Sequence, residues 1–272
     1  MKTLTVALLL ALAACMVADD GVLYEFGAPR LMKGHPSIRM VQEFVRAKVL
    51  PPNKHHRKEF AWPSAKVYCR FVFRNDGPAT TVKIGFPDIC TNREEEDTTP
   101  DLMNFHSEVD GQPVGIRYES GESIQGFHVK HVHFGRHQTR VIEDWYEAPL
   151  SGGATNTHIK DDLMHIRQFH YVMFSGGSWK GPIGRATVVI DFLGFGSKTL
   201  SLRPASEFSR DESGAFGYEH WDQINPSTLV WAGFAKPKLK GHRIEFRRTN
   251  FKPTEADDID LFFRDEIWDK PN

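Results

Sequence analysis

Short stretches with alternating apolar and polar side chains recur along most of the chain. In residues 66–74 one side of such an alternation is formed by Val67, Cys69, Phe71 and Phe73. Because successive side chains of a β-strand point to opposite faces, this pattern predicts a strand with one buried face. Turn residues follow at positions 75–78, and an apolar alternation returns over 82–86, so we predict a hairpin across residues 66–86.

A second stretch, residues 168–192, contains two strand patterns around a glycine-rich turn. Residues 169–174 are apolar at nearly every position, as expected for a strand covered on both faces, whereas residues 185–192 alternate. The turn SGGSWKGPIG between them contains one large aromatic residue, Trp179. We predict a central hairpin here, with glycine and proline supplying the backbone conformations of the turn.

Further strand pairs are predicted around Asp110-Gly111 and around Gly135, and shorter strand patterns follow to residue 263. Residues 37–50 fit either a helix or a strand, and their β-branched content favours the strand. About ten short strands without a long helical period predict an all-β fold, an antiparallel β-sandwich of Ig-like character. We expect it to span residues 19–272, either as one sandwich or as two packed lobes that divide near Leu150.

The overall composition narrows the class of protein. The chain has 272 residues, of which 40% are hydrophobic and 12% aromatic, so it can bury a large core. Lys plus Arg (34) and Asp plus Glu (35) nearly cancel, which gives no global field for nucleic acid or an anionic membrane. The basic run PPNKHHRK at positions 51–58 is typical of a solvated loop.

The first 18 residues resemble a signal peptide, with Lys2 before an apolar run over positions 4–14. We therefore expect an exported protein, periplasmic or extracellular. Residues 12–15 also resemble a bacterial lipobox, in which Cys15 would be lipidated and anchor the protein to a membrane. The alternative is ordinary cleavage after Ala18, which would discard Cys15 and leave no membrane contact.

Two cysteines remain, Cys69 and Cys90. In an exported chain such a pair permits a disulfide. The alternative is a buried thiol at Cys69, on the apolar side of its strand, and an unrelated Cys90.

The segment FHVKHVHFGRH is the sharpest candidate for chemistry. On a strand, His131 and His133 project from one face, and His137 after the turn could be a third ligand of a zinc or copper ion. No CxxC or HExxH motif accompanies them, and strand histidines are often plain surface residues. We therefore expect no cofactor and keep a metal-dependent hydrolase as the alternative.

Aromatic residues offer a second candidate site. Trp145 and Trp179 could contact a ligand such as a glycan, although most tryptophans belong to cores. Three pairs of adjacent acids, including Glu143 with Asp144, are expected to be solvated. No GxSxG, P-loop or GxGxxG motif is present. The leading hypothesis is a non-enzymatic extracytoplasmic domain with a binding or structural role. An envelope glycan or protein remains open as its partner.

Several phrases, taken in order, resemble the exported bacterial family catalogued as domain of unknown function 4424. They are VYCRFVFRNDGPATTVKIGFPD at 67–88, the VDGxPV turn at 109–114, WKGPI at 179–183 and NFKPTEADDIDLFF at 250–263. The resemblance covers most of the chain after residue 18. It implies an exported, β-rich domain without an established activity, cofactor or catalytic residue.

Overall fold

The computed structural model describes residues 24–33, 35–52, 63–90, 100–120, 125–156, 163–194, 199–208, 224–233 and 235–268. The first half contains β1 (Tyr24–Gly27), β2 (Arg30–Leu31), β3 (Ile38–Leu50), β4 (Ser64–Asn75), β5 (Thr80–Cys90), β6 (Met103–Val109), β7 (Gln112–Pro113), β8 (Arg117–Ser120), β9 (Gln125–Phe134) and β10 (Thr139–Pro149). The second half contains β11 (Ser151–Asn156), β12 (Leu163–Val172), β13 (Ile183–Phe192), β14 (Ser201–Pro204), β15 (Thr228–Ala232), β16 (Lys238–Lys240), β17 (Arg243–Phe251) and β18 (Ile259–Arg264). Only short 3-10 turns accompany these strands in the described residues, so the all-β prediction is confirmed.

The strands form two sheets that face each other. Sheet A has the order β14-β15-β18-β12-β1-β5-β9-β8, with β11 beside β12 and β2 beside β5. Sheet B has the order β16-β17-β13-β3-β4-β10-β6-β7. One apolar cluster fills the space between them and includes the fully covered rings of Phe71 and Phe73 from sheet B and Phe86 and Phe134 from sheet A. The molecule is therefore a β-sandwich.

The sandwich consists of two lobes that divide at Leu150, the second of the two arrangements that the sequence leaves open. Strands β1–β10 occupy one half of the width of each sheet, and β11–β18 occupy the other half. The lobes meet at β1 and β12 in sheet A and at β3 and β13 in sheet B, and both of these pairs are parallel. A third parallel pair joins β14 to β15. The sheets are thus mixed, and the expectation of a purely antiparallel sandwich is wrong at these three pairs.

The second correction concerns the predicted hairpins. Strands β4 and β5 lie in opposite sheets, as do β9 and β10, and β12 and β13. Each connection is therefore an arch from one sheet to the other and not a hairpin within a sheet. The alternation assigns the buried side of each strand correctly, but the buried sides of an arch face each other across the core.

Asn75 explains why two of these arches run side by side. Its side chain is fully buried and donates through Nδ2 to the carbonyl oxygens of Pro78, at 2.6 Å, and Gly135, at 3.1 Å. Its Oδ1 accepts a hydrogen bond of 2.6 Å from Ser37 Oγ, and its backbone N–H donates to the carbonyl of Gln138. One residue thus satisfies the buried polar groups of both connections, as interior polar groups require.

One two-residue hairpin is confirmed. Strands β6 and β7 pair through Asp110 and Gly111, whose φ angles of 52° and 75° suit a tight hairpin turn. The chain then leaves sheet B, and β8 pairs with β9 in sheet A. In the described residues, no helix is long and apolar enough to cross a membrane.

Candidate functional site

The outer face of sheet B carries a row of side chains at matching positions of four strands. Tyr68 on β4 lies opposite Arg46 on β3 and opposite Trp145 on β10, and Trp145 lies opposite His106 on β6. Directly opposite residues in a sheet have their Cβ atoms about 5 Å apart, so their side chains contact one another. The register therefore places one cation and three rings side by side.

The rings of this row form a stack that we call the ring ladder: Tyr68, Trp145 and His106. The ring centres of Trp145 and His106 are 4.7 Å apart and their planes differ by 2°. On the other side, the centre of Tyr68 lies 5.3 Å from that of Trp145 at an angle of 38°. Since Trp145 is flanked on both sides, the rings present their edges and not an open face.

A groove of about 530 Å³ runs along the ladder. Its lining includes the ring ladder and the charged side chains of Arg46, Lys48, Lys66 and Glu147. Its volume lies within the range of about 300–1,000 Å³ that is common for small-molecule sites. Three cationic groups and one carboxylate therefore share the groove with three rings.

Two contacts hold the ring ladder and the neighbouring Arg46 in place. The Tyr68 hydroxyl donates a hydrogen bond to Glu143, and burial together with this bond raises the pKa of Tyr68 to about 12. Tyr68 thus keeps its proton and its orientation. Arg46 donates to Asp191 on β13 at 2.9 Å, and Arg243 donates to the same carboxylate at 2.7 Å.

Asp191 stays ionised between these two arginines. Its partial burial raises the pKa, but the hydrogen bonds and charges of Arg243 and Arg46 outweigh burial and hold the pKa below its ordinary value. The contact between Arg46 and Asp191 crosses the junction of the two lobes. The groove therefore lies beside this junction.

The inner face of the same strands carries a different set of polar groups. Lys130 on β9 contacts Asp144 on β10 and donates to Ser107 Oγ at 2.7 Å, and neither Lys130 nor Asp144 is exposed. Asp144 lies opposite Cys69 on the neighbouring strand. The expectation of a solvated Asp144 is wrong, because this carboxylate is paired across the core.

Glu43 is the second acid of this inner face. The hydroxyl of Tyr171 donates to it at 2.8 Å, while its Oε2 has no hydrogen-bond partner among the described residues. Burial raises its pKa to about 7, although the bond from Tyr171 opposes the rise. Burial also raises the pKa of the Cys69 thiol, with added effects of Asp144 and Glu43. A buried thiol that holds its proton is inert as a nucleophile.

The histidine candidates are not brought together. His131 and His133 project from the exposed side of β9, and His133 Nδ1 lies 3.1 Å from Thr81 Oγ1. Both line a shallow depression of about 240 Å³. His137 lies in the following turn, with φ 56°. Within the described residues, no group of three His, Cys, Asp or Glu side chains is placed to hold a metal ion.

Trp179 is also placed differently from the prediction. It follows a 3-10 turn at Phe174–Ser178 and is 2% exposed. Its ring centre lies 4.1 Å from that of Phe73, and its Nε1 donates to the carbonyl of Pro29 at 2.8 Å. A predicted contact residue is therefore a core residue that covers the end of the sandwich.

The cysteine prediction resolves toward its alternative. Cys69 is a free, buried thiol, so the predicted disulfide with Cys90 is wrong. The side chain of Cys90 lies outside the described part of the chain. The same holds for residues 1–18, and therefore for the predicted signal peptide and for Cys15.

Comparison with known proteins gives a likeness of fold. No family model matches the chain, and no curated protein matches it. A solved structure from Legionella pneumophila, described as that of a candidate nutrient binding protein, aligns with a TM-score of 0.60 at 16% identity, over 90% of this chain and 73% of that one. The two proteins therefore share a fold.

An M1 zinc metallopeptidase from Deinococcus radiodurans aligns with a TM-score of 0.38 at 9% identity. The alignment includes 85% of this chain and 43% of the enzyme, so the chain spans less than half of that protein.

The sequence indicates Trp145 as a contact residue but does not indicate the other groove residues. Alternation places Tyr68 and Lys66 on the solvent side of their strand, as the structure has them. Their meeting with Trp145 and His106 depends on strand register, which alternation alone does not give. The signal that could have found them is the outward series Lys66, Tyr68, Arg70 beside a strand with an outward tryptophan.

Proposed function

We propose that this chain is an exported, non-enzymatic binding domain that holds a small polar solute in the groove along the ring ladder. The carrying observation is the groove itself, about 530 Å³ in volume and lined by three aligned rings and four charged side chains. A concave site lined by aromatic side chains with a few polar groups is typical of ligand sites. The likeness of fold to the Legionella protein supports a binding role.

The position of the titratable groups supports binding over catalysis. Glu43, whose pKa is raised to about 7, and Cys69, whose pKa is also raised, lie on the buried face of sheet B, on the opposite side from the groove. The carboxylate that lines the groove, Glu147, accepts a hydrogen bond from Ser64, and Asp191, which contacts the groove residue Arg46, is held by two arginines. Proton transfer to a solute in the groove has no support from these groups.

The test is a ligand screen with the mature protein. Sugars, amino acids, organic acids and phosphate esters are added singly, and both the melting temperature and the tryptophan fluorescence are recorded. A ligand present at 100 times its Kd stabilises the folded state by about 2.7 kcal/mol, which is readily measured. At least one compound should raise the melting temperature and change the emission.

Two variants decide where that ligand binds. Trp145→Ala should lose both responses, whereas Trp231→Phe, in sheet A and outside the groove, should keep them. The proposal is wrong if no compound acts, or if Trp145→Ala responds as the parent does. Turnover of a glycan, ester or peptide that a single polar substitution abolishes would also contradict it.

Export is the second part of the proposal and rests on the first 18 residues. Mass spectrometry of the mature N-terminus tests it. A chain that starts at Asp19 is the expected form of a free exported protein, and a diacylglyceryl Cys15 that of an anchored one. An intact Met1 in the native host would contradict export.

A further inference from the structure

Lys48 and Lys66 are an unusual pair in sheet B. They lie directly opposite each other on β3 and β4, both are exposed, and both line the groove. Like charges directly opposite each other on one face of a sheet are destabilising. Among the residues that the structure describes, neither lysine forms an ion pair with an acid. Such a local conflict without an internal gain marks functional sites.

The neighbouring carboxylates are already engaged. Asp191 is shared by Arg46 and Arg243. Glu147 lies opposite Lys66 in the register but accepts a hydrogen bond of 2.7 Å from Ser64 Oγ. Glu143 accepts from the Tyr68 hydroxyl. The lining of the groove thus holds three cationic side chains and one carboxylate, Glu147, and keeps an excess of positive charge.

The ring ladder, like the two lysines, favours a ligand with negative charge. Aromatic rings carry partial positive charge at their edges and partial negative charge at their faces. Because Trp145 is flanked by Tyr68 and His106, the ladder offers edges to the groove. Stacking of a sugar ring on an open indole face does not fit this arrangement. An anionic group at the ring edges, near two ammonium groups, does.

We propose that the ligand of the groove is a small organic anion, whose carboxylate or phosphate is bound between Lys48 and Lys66 while its body lies along the ring ladder. This inference rests on the proposed binding function and names the chemical class of its ligand. Ammonium groups bind both kinds of anion through charge-assisted hydrogen bonds. The cross-strand repulsion is relieved when the ligand binds.

The experiment compares anions with neutral molecules of nearly the same shape. The mature protein is titrated calorimetrically with benzoate against benzamide and with glucuronate and glucose 6-phosphate against glucose, and inorganic phosphate serves as an anion without an organic body. At low salt, at least one organic anion should bind about tenfold more tightly than its neutral partner, and salt should reduce the difference. Preference for glucose 6-phosphate or for a carboxylate identifies the anionic group.

Two variants assign the effect. Lys48→Gln with Lys66→Gln should abolish the preference for the anion and leave the neutral partner's affinity unchanged. Lys236→Gln, an exposed lysine outside the groove, should retain the preference. Circular dichroism verifies that each variant is folded.

Other outcomes overturn the inference in distinguishable ways. Equal affinity for anion and neutral partner, lost together in Trp145→Ala, refutes the anionic ligand and leaves the binding function standing. Equal loss of both affinities in the lysine variant refutes it as well. If none of these probes binds, the anionic ligand is refuted, and the wider ligand screen decides separately whether the groove binds anything.

Discussion

The two faces of sheet B use the same strands for opposite purposes. Adjacent residues alternate between them: Asp144 points inward and Trp145 outward, and Cys69 points inward and Tyr68 outward. Inside, Lys130 and Asp144 meet across the core and neutralise each other. Outside, Lys48 and Lys66 face each other, and neither forms an ion pair with an acid among the described residues. A charge paired across the core is part of the fold, whereas we propose that the opposed like charges outside bind a ligand.

The largest effect is expected when the buried pair of Lys130 and Asp144 is broken. Lys130→Met leaves a buried carboxylate without its cation, which should lower the free energy of unfolding by about 3–5 kcal/mol in urea denaturation. Adding Asp144→Leu should recover most of this loss, since an apolar pair can replace a buried ion pair. Lys66→Met on the outer face is the matched control and should cost within about 0.5 kcal/mol. Similar losses for both lysines would remove the distinction between the faces.

The two tryptophans provide the next comparison. Trp179→Ala removes a ring packed on Phe73 and should lower the free energy of unfolding by about 3 kcal/mol. Trp145→Ala, on the outer face, loses stacking with two rings and should cost about 1 kcal/mol. Denaturation curves of both proteins measure this order. The reverse order would place Trp145 in the structural framework and not in a binding site.

Glu43 extends the comparison to the pH dependence of stability. Glu43 keeps its proton up to about pH 7 in the folded chain, whereas it releases the proton near pH 4.5 in the unfolded chain. Between these values the folded state binds more protons, so the contribution of Glu43 to stability falls as the pH rises. Glu43→Gln should remove this fall and stabilise the protein above pH 7 by about 3 kcal/mol. Unfolding curves at several pH values measure it.

The outer face again supplies the control for this measurement. Glu147→Gln removes a half-exposed carboxylate and should leave the pH dependence of stability as it is in the parent. An unchanged profile in Glu43→Gln would contradict the assignment of the buried proton to Glu43.

The smallest effect has the opposite sign. Lys48→Gln removes one of two opposed like charges and should raise the free energy of unfolding by about 0.3 kcal/mol at low salt. The same variant should weaken anion binding. High-precision thermal unfolding at low and high salt checks it, because salt should screen the gain. A destabilised Lys48→Gln would mean that the lysine has a structural contact.

The sequence predicts the faces of the strands but not their partners. Alternation over residues 66–74 assigns Cys69 to the core and Tyr68 to solvent because it depends only on the pleat of the strand. Whether β4 turns back within its sheet or crosses to the other depends on contacts such as that of Asn75 with Gly135, which lies 60 positions away. The composition after Leu150 is typical of a loop, but residues Ser151–Asn156 form β11, and the sequence left open whether the sandwich has one lobe or two.

The candidate site is predictable in part for the same reason. The outward positions of Lys66 and Tyr68 follow from alternation, whereas the ring ladder requires the register of three strands that are far apart in the chain. Trp179 shows the limit of a local argument. A tryptophan in a glycine-rich turn suggests exposure, but an arch between sheets places its turn over the end of the core.

The arches also determine how this chain can reach its folded state. Since β4 and β5, β9 and β10, and β12 and β13 each divide between the sheets, the two sheets must grow together. Their pairings join distant parts of the chain, as in β3 with β13, and each requires the closure of a long loop. Chains dominated by such pairings fold in about milliseconds to seconds, far more slowly than helical bundles. The same topology that builds the groove therefore predicts slow folding of the chain.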